Sequence, residues 1–170
     1  RVRHEVTAIH PDTKTVDVKN LATGEVFAES YDKLILSPGA RPVKPGLPGE
    51  DDPRVFTLRT VEDTFRIRDY LDTHPVRRAV VVGGGFIGVE MAENLSSRGV
   101  RVSIIDMAPH ILPGFDADFA DYVENLLADN GIPVFLGDGV TEIEGTDKVT
   151  KLRTAKRGIK TDAVIMSVGV

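Results

Sequence analysis

The stretch from Ala79 to Asp106, AVVVGGGFIGVEMAENLSSRGVRVSIID, limits what this chain can fold into more than any other. Four apolar residues, Ala79 to Val82, run straight into three glycines. A helical pattern follows, and a second mostly apolar run from Val100 to Ile105 stops at an acid. Gly83, Gly85 and Gly88 fit G-x-G-x-x-G, and Asp106 lies 18 residues after the last of them. Strand, glycine turn, helix, strand and closing acid together are the fingerprint of a dinucleotide-binding βαβ unit. The first glycine makes the turn out of the strand, the second lets backbone approach a pyrophosphate, and the third lets helix and strand pack closely. The pyrophosphate then sits where unpaired N–H groups and the helix dipole favour negative charge. Asp106 suits the adenosine ribose hydroxyls. Two other readings of the glycines stay open, a packing turn in a nucleotide-free α/β domain and a methyltransferase-type site. A strand-end aspartate also serves as a turn cap.

Composition narrows the function classes. At 170 residues the chain has the size of one domain, or of one domain with a piece of another. A formal net charge of -5 and the lack of any Lys/Arg run argue against nucleic acid as a partner. No apolar stretch approaches the roughly 20 residues needed to span a bilayer, and RVRHEVTAIH lacks the apolar centre of a signal peptide. No membrane partner and a cytoplasmic location are therefore expected. With no cysteine, disulfides, thiolate metal sites and cysteine redox chemistry lie outside this chain. His4, His10, His74 and His110 show no ligand spacing along the sequence, so no metal site is expected. The opening on Arg1, already inside a strand-like run, predicts a piece of a longer protein.

Taken in order, VRHEVTAI, TVDVKN and EVFAESY are short β-rich runs separated by turn chemistry at His10-Pro11-Asp12 and Ala22-Thr23-Gly24, and predict a three-stranded antiparallel meander. Leu34, Ile35 and Leu36 predict a compact strand ending at Ser37-Pro38-Gly39-Ala40. Pro42, Pro45, Pro48 and Pro53 alternate with Gly46 and Gly49 in a connector where neither helix nor central strand persists. Thr60 with Asp63 resembles a capping box opening a helix with Val61, Phe65 and Leu71 inward. Beyond Asp106, Asp116 suits the N-cap of a helix with Phe119, Val123 and Leu126/Leu127 on one face, closed by Asn130-Gly131. Ile132 to Leu136 predicts a strand, and residues 140 to 161 a second meander with turns near Gly145 to Asp147 and at Gly158.

The ending, DAVIMSVGV from Asp162, echoes DKLILSPGA from Asp32, and a meander precedes each. An internal duplication explains both: the tail of one dinucleotide-binding domain, a linker, and a second such domain nearly whole. The fold class is α/β: a Rossmann-like domain with a parallel sheet and a β-meander, preceded by a β-meander strip from another domain.

YDKLILSPGARP, VVVGGGFIGVEMAENL, ILPGFDADFADYVENLL and DAVIMSVGV together resemble the pyridine nucleotide-disulfide oxidoreductase family, and most of all its NADH oxidase, NADH peroxidase and coenzyme A-disulfide reductase branch. The resemblance implies that residues 1–45 are part of an FAD-binding domain, 46–60 a linker and 61–170 an NAD(H)-binding domain. It implies FAD in the full-length protein only, and a homodimeric parent whose FAD glycine motif, redox cysteine region and dimerisation domain are missing from this chain. NADH would pass hydride to flavin and then to a disulfide, peroxide or oxygen, and the fragment alone would be inactive. A ferredoxin, rubredoxin or nitrite reductase-type component, and a non-catalytic dinucleotide-binding module, remain the alternatives.

The resemblance also assigns residues. Phe86 and Ile87 would donate N–H groups to the pyrophosphate, and Phe86 matches an aromatic that shields flavin until nicotinamide enters. Glu90 matches a family glutamate near nicotinamide and flavin, paired with a lysine of the missing domain. Phe86 and Glu90 are thus the catalytic candidates. Ser167 and Gly169 would bring the last strand's end to the NADH, while Ser37, Gly39 and Ala40 are the equivalent FAD-side positions. A carboxylate at Asp106 repels a 2′-phosphate, and Met107-Ala108-Pro109 supplies no arginine to hold one, so NAD(H) is expected over NADP(H).

Overall fold

Alternating residues from His4 onward build a sheet before any helix appears. The computed structural model describes residues 1–145 and 150–169, and they divide into two compact units, 1–39 and 40–170. In the first, β1 (His4–His10), β2 (Thr15–Asn20) and β3 (Val26–Ser30) form the expected antiparallel meander. Val16 and Val18, alternate residues of the central β2, are its buried apolar side chains. Asn20 closes the second turn, its side-chain oxygen accepting Ala22 N at 2.9 Å and Thr23 N at 3.3 Å. Leu34, Ile35 and Leu36 do not form the expected strand. No described strand lies alongside to complete a ladder, and Ile35 stays 87 % exposed.

The second unit is a parallel sheet sandwiched between helices and a second meander. Its elements are β4 (Val55–Thr57), α1 (Val61–Thr73), β5 (Arg78–Val82), α2 (Phe86–Ser97), β6 (Arg101–Ile105), α3 (Ala117–Asp129), β7 (Val134–Phe135), β8 (Val140–Gly145), β9 (Thr150–Thr154), β10 (Gly158–Thr161) and β11 (Ala163–Met166). The parallel sheet runs β4-β11-β5-β6-β7, and β10-β9-β8 form a separate antiparallel sheet. Strand β5 is buried on both faces, as parallel strands are. Ala79 and Val81 pack with Ile67, Ala92, Leu95 and Leu127 of the three helices. Val80 and Val82 pack with Ile143 and Leu152 of the meander.

Several local expectations need correction. The connector 46–60 contains β4, a three-residue edge strand whose Phe56 is buried against the helical layer. Helix α1 begins at the Thr60 capping box, with Asp63 N donating to Thr60 Oγ1 at 3.2 Å and Thr60 N to Asp63 Oδ2 at 2.9 Å. The backbone N–H of Thr60, followed by that of Arg59, holds the Asp63 carboxyl below its ordinary range. The cap is therefore at full strength at neutral pH and weakens only as pH falls through that lowered value. The inward face of α1 is Ile67, Tyr70 and Leu71, while Val61 and Phe65 point to solvent. On α3 the buried stripe is Ala120, Val123 and Leu127, with Phe119 and Leu126 half-exposed. Asp116 is its N-cap by backbone geometry, without a side-chain bond. Residues 146 and 147 of the expected turn, and Val170 of the echoed ending, lie outside the described residues. Among the described residues no helix is long and apolar enough to cross a membrane.

Candidate functional site

Strand register brings the key residues to one edge. Val82 pairs with Ile105 on one side and Met166 on the other, so Gly83, Asp106 and Ser167 follow three adjacent carboxyl ends. Gly83 N donates to Ile105 O at 2.8 Å and Ser167 N to Val82 O at 2.7 Å, extending both ladders by one bond. The chain leaves β5 for β6 on one flank, having come from β4 on the other. Such a switch point, at the carboxyl edge of the strands, is where α/β sheets hold ligands.

The three fingerprint glycines prove to have different reasons. Gly83 has φ +107°, and a Cβ there would overlap the Ser167 carbonyl. A Cβ at Gly88 would overlap the Gly83 carbonyl, so its absence lets α2 pack onto the turn. Gly85 has nothing within 4 Å of a Cβ, and it lines an open cleft of about 730 Å³. Packing accounts for Gly83 and Gly88, whereas no packing contact accounts for Gly85. The fingerprint leaves Gly84 unspecified, yet its carbonyl accepts Leu112 N at 2.8 Å, and a Cβ would sit 2.6 Å from Ile111 Cγ2. The unbroken run of three glycines was the available signal.

Gly85 is also the N-cap of α2, with no side-chain cap bond and no acid in the first turn. The first N–H groups of the helix are therefore free for an anion. Phe86 and Ile87 carry those groups, and both line the cleft. Phe86 stands edge-on to Phe115, with ring centroids 5.7 Å apart.

The Asp106 carboxylate is fixed from two sides. Gly84 N donates to Oδ2 at 2.6 Å and Ala108 N to Oδ1 at 2.8 Å. Each oxygen keeps a lone pair for a hydroxyl donor. Ser167 and Gly169 line the same cleft, and Gly169 O accepts Val43 N at 2.9 Å, which places Pro42, Val43 and Pro45 along its wall. Gly88 is buried behind the turn, and Glu90 is exposed on α2 outside the lining. Ser37, Gly39 and Ala40 are exposed in a segment without regular structure.

Sequence reading missed Asp138. Its side chain is fully buried, and its backbone N–H donates to Asp106 O at 3.0 Å. Arg157 Nε approaches Oδ2 at 2.7 Å, off the axis of a hydrogen bond, and the guanidinium lies 4.4 Å over the Phe135 ring. Lys156 Nζ adds a bond to Gly137 O at 2.6 Å. The β9–β10 turn thus straps the loop from Gly137 to Val140 that forms one wall of the cleft. Nothing in the spacing of Asp138 and Arg157 along the chain announces the pair. Removing Arg157 strands a buried charge, so Arg157→Ala should lower stability by about 3 kcal/mol. In urea denaturation, Asp138→Asn in that background should recover part of the loss. A cost within 0.5 kcal/mol, roughly the scatter of ordinary surface changes, would contradict the strap.

Asp106 carries the unpaired charge of the cleft wall, since Asp138 is buried against Arg157. Among the described residues lining it, Asp106 and Asp138 are the charged ones, and no lysine or arginine joins them. The rest is apolar or backbone.

Known proteins match this arrangement. The pattern of the pyridine nucleotide-disulphide oxidoreductase family matches residues 1–170. An NADH oxidase of Methanocaldococcus jannaschii is 38 % identical over 168 residues, covering 98 % of this chain and 38 % of the relative. A coenzyme A disulfide reductase of Staphylococcus haemolyticus is 38 % identical over 167 residues, covering 98 % of this chain and 36 % of its own length. The structure of the water-forming NADH oxidase of Lactobacillus brevis, bound to NADH, superposes with a TM-score of 0.86 at 35 % identity, covering 98 % of this chain and 37 % of that one. An engineered NADPH oxidase made from it, bound to NADPH, gives 0.87 at 32 % identity, with 98 % and 37 % covered. The chain spans well under half the length of each.

Proposed function

The chain belongs to the pyridine nucleotide-disulphide oxidoreductase family, and from that premise we propose that it is the NADH-binding part of an FAD-dependent oxidoreductase. The observation that carries this reading is Asp106, a carboxylate fixed by two N–H groups at a cleft whose described lining holds no lysine or arginine. The cradle fits the cofactor at three points. Gly85 and the open first turn of α2 leave room and donors for the pyrophosphate. Asp106 accepts the hydroxyls of the adenosine ribose, and Phe86 with Ile87 lies toward the nicotinamide half, beside Ser167 and Gly169.

NADH bound there supplies a hydride. The chain's own residues bind and orient: the glycine turn holds the phosphates, and Pro42, Val43, Pro45, Leu47 and Val140 supply apolar surface along the cleft. In the longer protein, residues 1–45 form part of an FAD domain, 46–60 the connection and 61–170 the NAD(H) domain. FAD would supply the hydride acceptor in that protein, with Phe86 shielding the transfer position and Glu90 paired with a lysine outside this chain. Ser37, Gly39 and Ala40 face FAD only once the rest of that domain is present. The onward acceptor is a disulfide, peroxide or oxygen, and the parent is a cytoplasmic homodimer. The fragment by itself does not turn over.

The engineered NADPH oxidase supports the cofactor choice. Its substitutions replace a glycine, an aspartate 18 positions on, and residues one, two and seven positions beyond the aspartate. From Gly88 the same spacing falls on Asp106, Met107, Ala108 and Pro113, and glycine, aspartate and proline agree in identity. Calorimetric titration of the 170-residue chain should show NADH binding about 100-fold tighter than NADPH, the worth of one or two charge-assisted contacts and a repulsion. Equal affinities would sink the assignment.

A further inference from the structure

The loop after Asp106 gathers a second group of side chains that NADH binding does not use. His110 lies on that loop, and Asp121 and Glu124 lie one turn apart on α3. One ligand atom from each falls within 4.8 Å of the other two. His110 Nδ1 is 3.3 Å from Asp121 Oδ1 and 3.6 Å from Glu124 Oε1. Both separations exceed an ordinary N–H···O hydrogen bond of about 2.7–3.2 Å. Nδ1 itself is buried and makes no hydrogen bond. Around a tetrahedral zinc ion with bonds of about 2.1 Å, neighbouring ligand atoms stand about 3.4 Å apart. The two separations from His110 Nδ1 match that spacing.

We propose that His110, Asp121 and Glu124 bind a divalent first-row cation such as Zn²⁺, with water completing the coordination. One imidazole and two carboxylates suit such an ion, and the partly exposed setting leaves a path for entry. The expectation of no metal site rested on spacing along the chain, which the folding of the loop onto α3 bypasses. Glu124 Oε1 also accepts Ile111 N at 3.1 Å, and the neighbouring Leu112 N donates to Gly84 O. Leu112 holds φ +51°, a left-handed conformation that costs a branched residue energy and needs support from its surroundings. The ion would clamp this loop to α3 beside the glycine turn. Its role is structural, and the proposal stands whether or not the cleft takes NADH.

The test is Zn²⁺ binding to the 170-residue chain, by equilibrium dialysis, with Co²⁺ absorption in the visible range reporting four-coordination. One equivalent of Zn²⁺ per chain is expected at micromolar concentrations. His110→Ala, Asp121→Asn and Glu124→Gln should each weaken it by about tenfold or more, since losing a ligand costs at least as much as losing an outer-shell partner. Asp121 is 58 % exposed, so its variant keeps the fold even if the others disturb it. His10→Ala, which breaks the His10–Asp17 pair, should leave binding unchanged. No Zn²⁺ bound by the unaltered chain, or equal binding by the chain and its Asp121→Asn variant, overturns the site. The trio is then an ion pair only.

Discussion

Gly85→Val should leave the fold intact and remove NADH binding, with a loss on the order of 1000-fold, about 4 kcal/mol. The structural grounds are unusual for a glycine fingerprint, because the three positions separate cleanly. At Gly85 the backbone is extended, with φ -74° and ψ -177°, so a side chain adds no strain there. A Cβ meets nothing within 4 Å, and the branched side chain projects into the space that backbone must leave for the pyrophosphate. At Gly88 the same substitution drives a Cβ into the Gly83 carbonyl and pushes α2 off the sheet, so Gly88→Val should unfold the domain. Circular dichroism and urea denaturation distinguish the two variants, and calorimetry reads the binding. A folded Gly85→Val chain that takes up NADH normally would mean the cofactor lies elsewhere.

How much of this was legible in the sequence depends on the range of the interactions. The βαβ unit could be read because its signals are local: an apolar run, three glycines and an acid within 28 residues, each with its own backbone reason. The first meander, the capping box at Thr60 and the close of α3 at Asn130-Gly131 are local in the same sense. What failed depended on partners far along the chain. Leu34 to Leu36 have strand composition, but a strand needs a neighbour to take its hydrogen bonds. Strand β4 hides in a proline-rich connector because its three residues are ordered by β11, more than 100 residues away. The inward face of α1 follows the sheet it packs on, so Ile67 and Tyr70 displaced Val61 and Phe65. At the site, Asp106 was found from spacing, while Asp138 with Arg157, and His110 with Asp121 and Glu124, meet only after folding.

The second large effect concerns the choice between NADH and NADPH. Asp106 does two jobs that a single substitution separates poorly. Its oxygens accept the N–H groups of Gly84 and Ala108, which shapes the glycine turn, and their remaining lone pairs are available to the proposed ribose hydroxyls. Asp106→Ala leaves both N–H groups without an acceptor, at about 1–3 kcal/mol for each one that stays buried, so this variant should lose stability as well as NADH affinity. The preference for NADH should fall towards unity, because the repulsion of a 2′-phosphate goes with the carboxylate. Reversal needs cations in a wall that has none among its described residues. Met107 is 80 % exposed and Pro113 lines the cleft, so arginines at both reach the ribose edge without displacing core. In Asp106→Ala/Met107→Arg/Pro113→Arg, two guanidinium contacts of about 1.5–3 kcal/mol each should make NADPH the tighter ligand by at least tenfold. The experiment is a paired titration of the unaltered chain, the single variant and the triple variant with both cofactors. The salt dependence of NADPH binding should steepen only in the triple variant, since exposed charge contacts are screened. If Asp106→Ala folds and keeps the original preference, the carboxylate serves only to shape the turn, and discrimination comes from the walls of the cleft.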